Sequence, residues 1–158
     1  MARIHILERE QRVALPLERA FEFYGDARNL EAITPPWLGF RLTSPPPQPM
    51  RAGSLISYTL KLHLLPVRWT TRIEAWEPPH RFVDVQLSGP YSLWEHTHTF
   101  EECGDGTIAI RDRVRYSLPL GPLGELAHRL FVRRDLARIF DYRRDAVAGL
   151  LVDEPVPG

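Results

Sequence analysis

The sequence predicts an α+β fold: a curved antiparallel sheet of about seven strands wrapped around a long C-terminal helix, with two short helices after the first strand. Three observations predict it. Between residues 54 and 117 lie five segments of strand character, separated by closely spaced turn residues. Beyond Pro119-Leu120-Gly121-Pro122 the apolar period changes from two to about 3.6. The 158 residues, 44% hydrophobic and 25% charged, suit one domain with a sizeable core, spanning 1–158, and are too few to stabilise two.

Taken in order, residues 3–13 alternate apolar and charged side chains and read as a strand. Pro16 then opens a helix whose stripe is Leu17, Ala20, Phe21 and Tyr24, with Gly25 as its stop. Asp26 caps a second short helix through Ile33, ended by Pro35-Pro36. Residues 37–53 contain Pro45-Pro46-Pro47-Gln48-Pro49 and form a loop, with one edge strand near 40–43. Trp37 in this loop is either a lid or simple packing.

Segments 54–64, 67–77, 81–87, 91–103 and 107–117 then form an antiparallel meander. Its turns fall at Pro66, Pro78-Pro79, Gly89-Pro90 and Gly104-Asp105-Gly106. The last element is one long amphipathic helix. Leu123, Leu126, Ala127, Leu130, Ala137, Phe140, Val147 and Leu151 run along one side. Arg129, Arg133, Arg134, Arg138, Arg143 and Arg144 read as a solvated face in preference to an anion-binding patch, and residues 153–158 fray.

Composition excludes several functions. Twenty basic residues balance twenty acidic ones, so no global field draws the chain to nucleic acid or an anionic membrane, and only local patches stay open. Cys103, the only cysteine, rules out an internal disulfide and suits a reducing compartment, so a cytoplasmic location is expected. Its acidic neighbours Glu101 and Glu102 argue against a reactive thiolate. No stretch reaches the roughly 20 apolar residues of a membrane span or the pattern of a signal peptide. No nucleophile elbow, phosphate loop or dinucleotide fingerprint is present, and no cofactor is expected. Nineteen arginines against one lysine, with 15 prolines, point to a GC-rich genome or a heat-adapted host and say nothing about chemistry.

The informative strand is Trp94-Glu95-His96-Thr97-His98-Thr99-Phe100. Side chains two apart share a face, so Trp94, His96, His98 and Phe100 point one way, inward by their character. On the following strand Ile108, Ile110, Asp112, Val114 and Tyr116 share a face, while Arg111, Arg113 and Arg115 point out. A turn near Gly104-Asp105-Gly106 makes cross-strand partners sum to about 208 or 210. Both sums are even, so either register sets Asp112 on the histidine face, opposite His96 or His98.

Three roles remain open for His96, His98 and Asp112: a satisfied structural network, a polar anchor for an apolar ligand, or a metal or acid-base site. A third strong metal ligand is not evident nearby, because His63, His80 and His128 lie elsewhere in sequence, and no metal is expected. Tyr58, Trp69, Trp76 and Phe82 read as core more readily than as ligand contacts. Candidate cavity contacts are Tyr58, Trp94, His96, His98, Phe100, Asp112, Tyr116 and Phe140.

The chain resembles the START-like (SRPBCC, helix-grip) superfamily, which includes polyketide cyclases and dehydratases, Bet v 1-like proteins and ubiquinone-binding proteins. The resemblance covers nearly the whole chain. It rests on Ile33-Thr34-Pro35-Pro36-Trp37, Phe82-Val83-Asp84, Gly89-Pro90-Tyr91, the Trp94-to-Phe100 strand, Gly106-Thr107, Asp112-Arg113-Val114-Arg115-Tyr116 and Ile139-Phe140-Asp141-Tyr142-Arg143. It implies a seven-stranded sheet gripping the C-terminal helix around a tunnel for a lipid-like, polyketide-like or quinone-like molecule. A carrier or sensor is the leading expectation; a cyclase or dehydratase using a histidine held by Asp112 is the alternative, and an interaction module docking through its arginine-rich helix is a third. Resembling domains also occur joined to nucleotide-sugar-epimerase-like oxidoreductases. Such a partner, and a homodimer, stay open.

Overall fold

The computed structural model describes residues 3–152, with side chains described through residue 150. Expectations for the tail at 153–158 and for the Leu151 side chain lie outside the described residues. Strand β1 (His5–Val13) leads into α1 (Leu17–Gly25), a short tight turn of helix (Ala27–Asn29) and α2 (Leu30–Ile33). The Asp26 carboxylate accepts from the Arg28 N–H and caps that turn, as its side-chain chemistry demands. After the proline loop and the two-residue edge strand β2 (Arg41–Leu42) comes the meander: β3 (Leu55–Leu62), β4 (Leu65–Glu77), β5 (Arg81–Ser88), β6 (Leu93–Glu102) and β7 (Ile108–Ser117).

All neighbours are antiparallel, in the order β1-β7-β6-β5-β4-β3-β2. Closing the first strand against the last sets the two ends of the meander far apart and leaves one concave face. Register shifts in β4, at Thr70/Thr71 and Ile73/Ala75, bend the sheet further. The convex face carries a charged lattice, with Arg111 bonded to Glu101 at 2.6 Å and Arg115 to Glu95 at 3.2 Å. Such exposed pairs add little stability; they keep this face wet.

Pro66 does not break the chain as expected. The turn is His63-Leu64, and Pro66 sits inside β4 opposite Lys61. Pairing with β5 starts only at Thr70, so the missing proline N–H removes no bond on that side.

The C-terminal helix runs as α3 (Gly121–Ala127), a π turn (His128–Val132) and α4 (Arg133–Val152). Its sheet-facing side corrects the expectation. Gly124, His128, Leu136, Phe140 and Val147 are buried, whereas Leu123, Leu126 and Leu130 are exposed. The first half of the helix carries two apolar faces, and the extra residue of the π turn re-phases the helix so that the i+4 row from Gly124 meets the sheet. Gly124 belongs there because a Cβ would collide with the Pro119 carbonyl oxygen. Gly124→Ala should destabilise the fold by about 2 kcal/mol in urea titration, through overpacking against rigid backbone.

Three apolar clusters fill the grip, the smallest holding Ala27, Ile56 and Ile73. Of the two larger ones, one gathers α1 with Phe82, Phe100, Ile110 and Val147, and the second gathers Trp69, Trp94, Val114 and Tyr116 with Leu136 and Phe140. The gap between helix and sheet lies where these clusters meet.

Candidate functional site

The β6–β7 hairpin takes the register that sums to 210, with His98 opposite Asp112 and His96 opposite Val114. His96 and His98 are buried, and their imidazoles stack with centroids 3.7 Å apart. His98 stacks in turn on Phe82 at 4.0 Å, so β5 and β6 together fix both rings. Nε2 of His96 lies 2.8 Å from Asp112 Oδ1, and Nε2 of His98 lies 2.7 Å from Asp84 Oδ2. With both carboxylates ionised, each imidazole donates from Nε2.

The second carboxylate corrects the sequence reading. Asp84, on β5 opposite His96, supplies a further strong ligand type beside the two histidines. Arg143 is the other correction. Placed on the solvated face by its charge, it is half-buried in the cavity wall, its guanidinium 5.3 Å from the Tyr24 ring and 5.9 Å from that of Phe140. The remaining arginines of that set, Arg129, Arg133, Arg134, Arg138 and Arg144, are exposed.

Electrostatics follow from burial and pairing. Burial pushes the Asp112 carboxyl up, but the His96 hydrogen bond, Arg143 and the two imidazoles outweigh it and hold it below the usual range. Asp84 behaves alike, with burial overcome by the His98 hydrogen bond and neighbouring positive charge. His98 moves the other way from a free imidazole. Burial, then the adjacent His96, depress its pKa to about 4 despite the Asp84 bond, so it is neutral at pH 7. Burial also pushes the Tyr24, Tyr58 and Tyr91 hydroxyls upward.

A cavity of about 170 Å³ opens between these groups and the helix. That matches the scale of the ~150 Å³ engineered cavity known to take up benzene. Its apolar wall includes Leu60, Ile73, Trp94, Leu136 and Phe140; its polar wall includes Asp84, His96, His98 and Arg143. Of the candidate contacts, Tyr58, Trp94, His96, His98 and Phe140 line it.

Phe100, Asp112 and Tyr116 do not. Phe100 packs among Phe21, Tyr24 and Phe82, and Tyr116 turns its hydroxyl to His128 Nε2 at 2.7 Å. Asp112 does not line the cavity and touches its wall through both imidazoles, Oδ1 lying 2.8 Å from His96 Nε2 and 3.4 Å from His98 Nδ1. Trp69, Trp76 and Phe82, expected as core, belong to the lining as well. Trp37 is half-exposed and packs on the helix, edge to Tyr142 at 5.8 Å and under Arg138 at 5.0 Å.

Three buried polar atoms make no hydrogen bond among the described residues: Trp69 Nε1, His98 Nδ1, which stands 3.4 Å from Asp112 Oδ1, and Arg143 Nε. All three side chains line the cavity. Unmet hydrogen-bonding capacity is rare in a folded interior, and here it falls on side chains that line the cavity. Asp84, His96 and His98 also offer three ligand atoms within 4.8 Å of one another, the donor set of a two-histidine, one-carboxylate metal site. The stacked rings work against that use, because their in-plane lone pairs run side by side instead of converging on one point.

Among the described residues no helix is long and apolar enough to cross a membrane. Solved structures share the fold. A Zhui aromatase/cyclase from Streptomyces sp. R1128 superposes with TM-score 0.73 at 15% identity, covering 93% of this chain and 93% of that one. Norcoclaurine synthase from Thalictrum flavum, in complex with dopamine and hydroxybenzaldehyde, gives TM-score 0.70 at 14% identity, covering 99% and 91%. A START superfamily protein from Mycobacterium smegmatis gives TM-score 0.66 at 13% identity, covering 94% and 97%. No curated protein matched the sequence. The helix-grip architecture is thus shared across these chains, and the match of residues 13–141 to the family described as polyketide cyclase / dehydrase and lipid transport places this chain in that family.

Proposed function

We propose that the chain binds a hydrophobic small molecule of lipid, polyketide or quinone type in the cavity between sheet and C-terminal helix, as a carrier or sensor. The observation that carries this reading is the mixed wall: an aromatic and aliphatic cage closed on one side by Asp84, His96, His98 and Arg143, with three buried polar atoms on lining side chains that make no hydrogen bond. An apolar body gains from leaving water, and its polar end meets groups that already have hydrogen bonds to offer.

A neutral aromatic alcohol such as 2-naphthol is a suitable probe, because Trp69 and Trp94 in the wall report its arrival by fluorescence quenching. Saturable quenching is expected. Leu60→Trp, which fills the cavity from the β3 side, should weaken it at least about tenfold while leaving the circular dichroism unchanged. Quenching that Leu60→Trp leaves untouched would place the probe elsewhere and defeat the reading.

One feature favours a second reading, a cyclase or dehydratase. The Asp112–His96 pair orients an imidazole at the cavity wall, the arrangement in which a carboxylate fixes the tautomer of a general base. The Zhui aromatase/cyclase shares this fold. An enzyme would lose turnover on His96→Gln with probe binding retained; a carrier would lose affinity alone.

A further inference from the structure

The outer surface holds a second unusual feature, remote from the polar cluster. Among the described residues only three other than glycine take positive φ: His63 at 50°, Leu64 at 71° and Leu120 at 72°. Two of the three are leucines, and both project into solvent, Leu64 at 89% exposure and Leu120 at 76%. A two-residue hairpin turn such as His63-Leu64 favours asparagine or glycine, so a leucine there adds backbone strain and buries nothing. Stability does not account for either residue.

These leucines have company. Leu65 follows in the hairpin, and Leu123, Leu126, Leu130 and Phe131 are exposed on α3 and the π turn. The hairpin tip is tied to that helix, since His63 Nε2 meets Asp135 Oδ2 at 2.6 Å and the His63 ring stands 6.2 Å from Phe131. The hairpin tip therefore stands against the π turn, from which exposed apolar side chains continue along the helix to Leu123. Exposed patches of this kind mark contact sites.

Charge selects the occupant. Arg129, Arg133 and Arg134 flank the leucines and are exposed, and Arg3 shares a cleft with Leu120, Leu126 and Arg129. The nearby acids are already engaged: Glu125 faces His5 at 3.2 Å and Asp135 faces His63. A leucine-rich face rimmed by four exposed arginines, Arg3, Arg129, Arg133 and Arg134, against the two nearby acids Glu125 and Asp135, matches an interface of acyl chains beneath anionic headgroups.

We infer that this face, the β3–β4 hairpin tip with α3 and the π turn, docks on an anionic phospholipid surface. The leucines enter the headgroup boundary, the arginines meet the phosphates, and the strained turn holds Leu64 outward. This docking is independent of what occupies the cavity.

Co-sedimentation with vesicles, on protein carrying no added ligand, tests it. Binding is expected to vesicles of phosphatidylcholine mixed with phosphatidylglycerol, to weaken on phosphatidylcholine alone, and to fall with added salt. Arg133→Gln should lower partitioning about fivefold. Leu123→Ser with Leu130→Ser should lower it at least about tenfold. Leu64→Asn should also weaken it while raising the thermal midpoint, because asparagine suits the turn; that pairing separates a surface role from a folding defect. Equal binding to both vesicle types, or full binding by the leucine variants, would overturn the inference. So would a concentration-dependent dimer abolished by Leu130→Ser in a protein that ignores vesicles, which assigns the face to a second copy.

Discussion

Asp112→Ala is expected to destabilise the protein by about 3 to 5 kcal/mol, the largest single effect predicted for a polar residue here. The carboxylate lies behind the cavity wall, and its Oδ1 accepts from His96 at 2.8 Å. Truncation leaves the His96 N–H without a partner in a buried setting, and it removes a negative charge that the neighbouring Arg143 experiences. Asp112→Asn keeps an oxygen at the same place and should recover much of the loss. Urea titration of the two variants distinguishes the outcomes: equal, small losses for both would mean that the network contributes little to folding.

Second in size is a pH effect centred on His98. In the unfolded chain an imidazole takes up its proton near pH 6.5, whereas in the folded state burial and His96 delay protonation until about 4. Between those values the unfolded state binds more protons, so stability rises with pH and is lost as pH falls from about 6.5 to about 4. The gap corresponds to about 3 kcal/mol. Asp84 and Asp112 have depressed folded values, so their contribution is present above about pH 3.9 and is lost only below it. The two windows are therefore separable. His98→Gln, whose amide still donates to Asp84, should flatten the slope between pH 6.5 and 4 in denaturant titrations. An unchanged slope would move the effect to another group.

The β6–β7 geometry was legible in the sequence because it depended on parity alone. Period-two alternation put Trp94, His96, His98 and Phe100 on one face, and either even sum across the Gly104-Asp105-Gly106 turn brought Asp112 to it. Asp84 escaped for the opposite reason. Both Phe82 and Val83 are buried, so alternation on β5 did not identify the inward face, and the connection through Gly89-Pro90 fixed no parity. A signal was present nonetheless: an acid two residues after Phe82 on a strand next to the histidines.

Arg143 was missed because arginine on an amphipathic helix reads as solvated. It lies in the i+3 and i+4 row with Leu136, Phe140 and Val147, which are buried. That row was obscured by the competing stripe of Leu123, Leu126 and Leu130 one half-helix earlier, and by a π turn that sequence periodicity does not reveal. Phe100 and Tyr116 shared the correct face, yet a face is wider than a cavity. Their positions along the strands put them under α1 and His128, beyond the gap.

The central claim is that the space between sheet and helix receives an apolar molecule. The most direct measurement is isotope-edited NMR of the complex with 2-naphthol, reading contacts from probe protons to leucine and isoleucine methyls. Ile56, Leu60, Ile73 and Leu136 line the cavity and should give contacts that saturate with the quenching curve. Contacts confined to the exposed Leu64, Leu123 and Leu130 methyls, with none from that interior set, would contradict the account.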